Sequence, residues 1–275
     1  MASMKVWRGG AGRALWLAAL LLLPLLGAAC SNNDKDTYVE RPPEELYNQG
    51  LAQLANGDKL KAAKSFDEVD RQHPYSSYAT QAQLMSAYSY YLDNKYDDAI
   101  NALDRFIQLH PGNPDAAYAY YLKGLCYYEQ IVDVGRDQKT TEQALNSLQE
   151  VVTRFPNTAY ARDARLKVDL ARDHLAGKEM EIGRYYLQRQ QYLAAINRFR
   201  RVIEQYQTTT HVPEALERLT ECYLALGVHE EAQAAAAVLG YNFPGSEWYQ
   251  DSYNLLAEQN LKPQEDKNSW LYKVF

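Results

Sequence analysis

The residues of this 275-residue chain that could do chemistry are five histidines, three cysteines and a surplus of acidic side chains. The segment HEEAQ at 229–233 begins like a zinc-binding helix, in which two histidines four residues apart hold the metal beside a glutamate that activates water. Gln233 stands where the second histidine would have to be, so no metal is expected there. His73 and His110 share a spacing at which other parts of the chain carry Phe155, Tyr206 and Phe243, which makes them packing residues before ligands. No nucleophile elbow and no phosphate-cradling glycine loop occurs. Cys126 and Cys222 lie in apolar helical contexts far apart in the repeat described below, and are expected as buried free thiols. No catalytic residue, cofactor or metal is therefore expected. The residue in excess is tyrosine, with 23 copies, and its chemistry is binding.

The elements that position these residues begin after an export signal. Lys5, Arg8 and Arg13 precede an apolar run from Ala14 to Leu26, and LLGAAC closes it at Cys30. That run is shorter than the roughly 20 residues a membrane-spanning helix needs. The ending resembles the bacterial lipoprotein box, which implies cleavage between Ala29 and Cys30 and lipidation of Cys30. Gly27 and Ala29 also suit ordinary secretory cleavage, so plain secretion stays open. Ser31 in place of Asp resembles lipoproteins sorted to the outer membrane. A polar stretch to residue 43 reads as a tether. Without the leader the chain keeps 26 basic against 35 acidic residues, a surface that repels nucleic-acid phosphates and anionic lipid headgroups.

Self-similarity then organises the chain. Taking Ala62, Ala99, Ala144, Ala195 and Ala232 as anchors, apolar residues recur four and seven positions later and His, Phe or Tyr eleven later, one face of an α-helix. Pro74, Pro111, Pro156 and Pro244 follow at position twelve and end four of the five helices. Gln207 replaces the proline in the fourth copy, whose helix is expected to fray or extend. A first helix precedes each of these, marked by a small residue at Gly50, Ala87, Gly124, Gly183 and Thr220. A tyrosine stands three places on in every copy except the first, which has Gln53.

This pattern of small, Tyr, small, aromatic, small and Pro resembles the tetratricopeptide repeat over about residues 44–244. The period is 37 where uninterrupted, against ~34 for that family, and the leading Trp is missing. The fold class expected is all-α, an α-solenoid of five helix pairs with a capping helix near 247–259. Eight extra residues in repeat 3 read as a loop. Fourteen more between repeats 3 and 4 amount to about four helical turns, which predicts one long helix from Ala159 to about Gln190. The expected organisation is a leader (1–29), a tether (30–43), a three-repeat unit (44–156), a two-repeat unit with cap (157–260) and a disordered tail (261–275).

Each first helix also carries a second apolar stripe, three before, one after and four after the small position. It reads Tyr47, Leu51 and Leu54, then Leu84, Tyr88 and Tyr91, then Tyr121, Leu125 and Tyr128. In tetratricopeptide proteins the corresponding positions line the concave groove that holds a partner peptide. The same positions further on, Met180, Arg184, Leu187, Glu217, Glu221 and Leu224, are mixed and charged. Simple thickening of interhelical packing is the alternative, but a packing demand common to all repeats would place aromatics in all of them. Tyr90 and Tyr127 are assigned to the core stripe. Arg184, Arg189, Arg198, Arg200 and Arg201 form the densest basic cluster. It is either a solvated face paired with Glu204 or a dock for an acidic patch.

The leader, the repeats and the segments PYSSYATQAQLMSAYSYY, ALDRFIQLHPGNPDAAYAYYLKGL and YYLQRQQYLAAINRFRRVI together resemble the BamD family, the repeat lipoproteins of the β-barrel assembly machine. The resemblance implies a non-enzymatic periplasmic role at the outer membrane, with a lipid anchor at Cys30. Implied partners are the periplasmic domain of BamA, other assembly-machine lipoproteins and unfolded outer-membrane β-barrel proteins. It also implies that Arg184, Arg198 and Arg201 belong to a BamA dock, and that Tyr47, Leu51, Leu84, Tyr88, Tyr91, Tyr121, Leu125 and Tyr128 form a substrate-peptide groove. A repeat protein organising cell-wall synthesis or division is the rival reading. An accessory domain of a wall-cleaving enzyme is a third, and the chain has no room for the catalytic part.

Overall fold

In the computed structural model, which describes residues 39–275, the 3.6-residue periodicity of the repeats becomes helices wherever the register predicts them. They are α1 (Pro43–Ala55), α2 (Lys59–Gln72), α3 (Ala79–Leu92), α4 (Tyr96–Leu109), α5 (Ala116–Tyr128), α6 (Lys139–Arg154), α7 (Ala159–Gln188), α8 (Tyr192–Gln205), α9 (Val212–Ala225), α10 (His229–Asn242) and α11 (Glu247–Glu258), followed by a 3-10 turn (Trp270–Lys273). Every helix packs on the next, and α1, α3 and α5 also touch their successors two places on, so the first helices form an inner row from α1 to α7. Residues 41–275 make one compact unit. The leader and Cys30 lie outside the described residues.

The anchors and their apolar partners are the core. Ala62, Phe66, Val69, Ala99, Leu103, Ala144, Leu148, Ala195, Phe199, Ala232 and Leu239 have no exposed surface. The small position is where this row meets the first helix. A methyl group at Gly50 would stand 2.6 Å from the Phe66 ring, so the pair can close only on glycine. In four of the five pairs the turn uses a left-handed residue five places before the anchor, at Gly57, Asn94, Gln190 and Gly227. The next residue donates its N–H back to the carbonyl of Gln53, Tyr90, Tyr186 or Tyr223 at 2.9 Å, a Schellman-type close.

The second helices end alike. His73, His110, Phe155, Tyr206 and Phe243 all leave helical geometry with φ between −127° and −135°. The expected fraying of the fourth copy is corrected: α8 stops at Gln205 without a proline. Tyr206 donates its N–H to the Val202 carbonyl at 2.9 Å, and Thr209 Oγ1 donates to the Tyr206 carbonyl at 2.8 Å. Thr158 makes the same bond to Phe155, so the turn beyond the cap closes the helix with or without proline.

The long helix forms as the spacing predicts, over 30 residues, with Thr158 as its N-cap. The loop inserted in repeat 3 is tied to it by His174, whose Nε2 meets the Val132 carbonyl at 2.7 Å, and by Lys178, which donates to the Gly135 carbonyl. The expectation of a disordered tail is also corrected. Gln233 and the tail exchange hydrogen bonds at Lys262 and Gln264. Ser269 donates to Glu231, the Trp270 indole N–H donates to the Tyr223 hydroxyl at 3.2 Å, and Leu271 is fully buried.

Candidate functional site

The inner row of first helices brings most of the second apolar stripe together. Tyr88, Tyr91, Tyr121, Leu125 and Tyr128 are half-buried and Leu51 is exposed. Tyr47 and Leu84 do not line the groove and are corrected to core residues, 7% and 8% exposed. The Tyr47 ring stands edge-on to Phe66 at 5.4 Å with Tyr78 at 5.5 Å, and Leu84 sits in the cluster that includes Tyr118. In both cases side chains from the following helices close over the position. Tyr90 and Tyr127 are corrected the other way. Both are half-buried rather than core, and the Tyr90 hydroxyl reaches the Asp67 carboxylate at 2.7 Å.

Three groove residues escape the repeat pattern. Tyr118 lies three places before Tyr121 on the same helix face, a signal the sequence does carry. Tyr160 and Asp163 come from the start of α7, where the inserted turns hide the register. The Tyr160 ring is 5.5 Å from Tyr118 and 5.4 Å from Tyr121. The Tyr121 hydroxyl donates to Asp163, which also accepts from Lys167 at 2.7 Å. The Lys167 ammonium lies 5.6 Å from the centre of the Tyr128 ring. Beyond Tyr128 the surface continues as a hollow of about 350 Å³ lined by Ile131, Leu170, Asp173 and His174.

Burial first, then carboxylate and phenol neighbours, push the hydroxyls of Tyr118 and Tyr121 far above the usual phenol range, and that of Tyr91 up to about 12. These side chains stay neutral. Hydrogen bonds from Lys167 and then Tyr121 hold Asp163 below the usual carboxylate range, so it stays ionised. The result is a neutral aromatic surface with fixed charges beside it.

The equivalent positions further along are mixed: Arg184, Leu187 and Glu221 are half-buried. Met180, Glu217 and Leu224 are buried. Arg184 Nη1 bonds both oxygens of Glu214 at 2.7 and 2.8 Å. Arg198 and Arg201 share Glu179, at 3.1 and 2.7 Å. The proposed pairing of the cluster with Glu204 holds only for Arg200, at 2.9 Å, and that guanidinium also stacks 4.2 Å over Trp270. His73 and His110 are engaged as packing residues, on the Arg41 carbonyl at 2.6 Å and the Gln83 side chain at 3.0 Å. No group of side chains suited to a metal ion occurs among the described residues.

A stack of helix pairs whose inner surface is aromatic on one half and charged on the other is a tetratricopeptide-like binding scaffold. Comparison with known proteins gives the family: residues 39–239 match the model of the YfiO outer membrane lipoproteins, and the chain belongs to that family. It is 54% identical over 252 residues to the outer membrane protein assembly factor BamD of Caulobacter vibrioides, an overlap of 91% of this chain and 83% of that protein. The BamD of Rickettsia prowazekii is 48% identical over 240 residues, covering 87% and 96% of the two chains. That of Neisseria meningitidis is 36% identical over 245 residues, covering 82% and 92%. This membership sets aside the cell-wall organiser.

Proposed function

We propose that the groove of Tyr88, Tyr91, Tyr121, Leu125 and Tyr128 receives an extended segment of an unfolded outer-membrane β-barrel protein, and that Arg184, Arg198 and Arg201 dock the periplasmic domain of BamA. The chain is a non-enzymatic scaffold of outer-membrane β-barrel protein assembly, an outer-membrane lipoprotein on the periplasmic face. Within this reading Cys30 carries the lipid, and other assembly-machine lipoproteins are further partners. The observation that carries it is the asymmetry of the inner surface. The five half-buried side chains on repeats 2 and 3 are all aromatic or aliphatic, while the half-buried matching positions further along are Arg184, Leu187 and Glu221, two of them charged. Apolar surface left open in this way is an interaction site.

The test is a peptide copying the last strand of an outer-membrane barrel and ending in Phe, with a control lacking that residue. Tyr88→Ala with Tyr128→Ala is expected to remove ~2 kcal/mol or more of binding while the melting temperature stays near that of the parent. Phe66→Ala, at a fully buried ring, is the contrast and should cost roughly 3 to 5 kcal/mol of folding stability. Unchanged peptide binding by the double variant, or unfolding comparable to Phe66→Ala, would sink the groove assignment.

A further inference from the structure

The rings of the groove account for apolar contact, yet all six of them are tyrosine where phenylalanine would give the same contact. Their hydroxyls divide into two sets. Tyr91 and Tyr121 point at carboxylates, Glu129 at 3.5 Å and Asp163. Tyr88, Tyr118 and Tyr160 have no hydrogen-bond partner among the described residues, nor has Tyr128, and none of these hydroxyls is a sealed orphan. All four meet water. Tyr88, Tyr118 and Tyr160 also converge: Tyr88 and Tyr118 belong to one packed cluster, the Tyr160 ring is 5.5 Å from Tyr118, and the Tyr118 hydroxyl feels those of Tyr88 and Tyr160.

An occupant that seats on these rings strips water from three phenol hydroxyls, which is unfavourable unless it replaces the lost hydrogen bonds. A helix is poorly equipped to do so, because its own backbone groups are already bonded to one another. An extended segment is well equipped. Each residue carries a free N–H and a free C=O, and groups facing one way recur about every 7 Å. A hydroxyl both donates and accepts, so it matches either group in either strand direction. Resting on the groove reading above, we propose that Tyr88, Tyr118 and Tyr160 bond the main chain of the bound segment, so that the groove selects an extended strand by its backbone. Sequence enters through the ring contacts alone, which lets one groove take strands of many sequences.

The experiment uses the full mature chain and the barrel-strand peptide ending in Phe. Tyr88→Phe with Tyr118→Phe and Tyr160→Phe keeps every ring and removes the three hydroxyls. It is expected to bind the peptide at least tenfold more weakly at an unchanged melting temperature. A peptide with backbone esters at alternate residues, made in both frames, loses those N–H donors and has weaker C=O acceptors, and in one frame it should bind the parent as weakly as it binds the triple variant. Single Phe variants, each expected to weaken binding two- to fivefold, carry the test should the triple variant fold poorly. Parent-like affinity of the triple Phe variant, when Tyr88→Ala with Tyr128→Ala loses the peptide, would overturn backbone selection and leave the groove standing. Unchanged binding by the Ala variant would remove the groove, and backbone selection with it.

Discussion

Glu217 shows how one residue can carry a cost that depends on pH. It is 3% exposed, and burial, opposed by Arg218 and reinforced by Glu221, Asp251 and Glu214, pushes its carboxyl up to about 7. The Arg218 guanidinium is 3.2 Å away and is covered by the Trp248 ring. Since the folded state holds the proton to higher pH than the unfolded chain does, the folded protein binds more protons between about pH 4.5 and 7, and stability falls as pH rises through that window. Glu217→Gln is expected to match the parent at pH 4 and to exceed it at pH 8 by on the order of 2 kcal/mol. Denaturant titrations at the two pH values measure this, and a parent that gains on the variant as pH rises would refute the burial account. Burial acts on Cys126 and Cys222 as well: it pushes both thiols up to about 12, which keeps them protonated and unreactive.

Among the elements, α7 does the most to connect the two halves. Its first turns bring Tyr160, Asp163 and Lys167 to the groove, and its later turns bring Glu179 and Arg184 to the arginine face. From spacing alone Arg198 reads as an exposed helix position, but it is one of two guanidiniums on Glu179, itself 9% exposed. Replacing it by Glu would set two carboxylates against each other and confuse folding with docking. Arg198→Gln is the cleaner change, because Arg201 still satisfies Glu179. It is expected to cost less than ~1 kcal/mol of stability, the scale of a partly exposed ion pair, and to lower recovery of BamA from solubilised outer membranes. Equal recovery of BamA with that variant would take Arg198 out of the dock.

At the scale of the whole molecule, the stack has to cover its last repeat, and it does so with two pieces. Helix α11 packs on α9 and α10. The segment beyond it lays Trp270 between Arg200 and Tyr223 and buries Leu271 among the core residues of the last repeats. Deleting residues 261–275 is expected to lower folding stability by about 2 to 4 kcal/mol, given the apolar area uncovered, and to leave binding of the barrel-strand peptide unchanged, since no groove residue touches the tail. Thermal melts and peptide titrations of the shortened chain decide this; an unaltered melting curve would mean that the tail adds nothing to the fold.

The amino-acid sequence determined what is local and repeated. Five anchors with apolar residues at offsets of four and seven, and His, Phe or Tyr at eleven, define the second helices, because a 3.6-residue period is a property of one helix. The span of α7 followed from counting inserted turns. What only the tertiary structure decided is what covers each face. Tyr47, Leu84 and Tyr121 share one offset, yet the first two are buried and the third stays half-open, because burial depends on the following helices and not on the residue's own helix. Arg198 found Glu179, nineteen positions away, rather than a carboxylate at helical spacing. The tail has no period at all, and its order comes from Tyr223, Glu231, Gln233, Arg200 and the core that Leu271 enters, which only the folded stack places along its path.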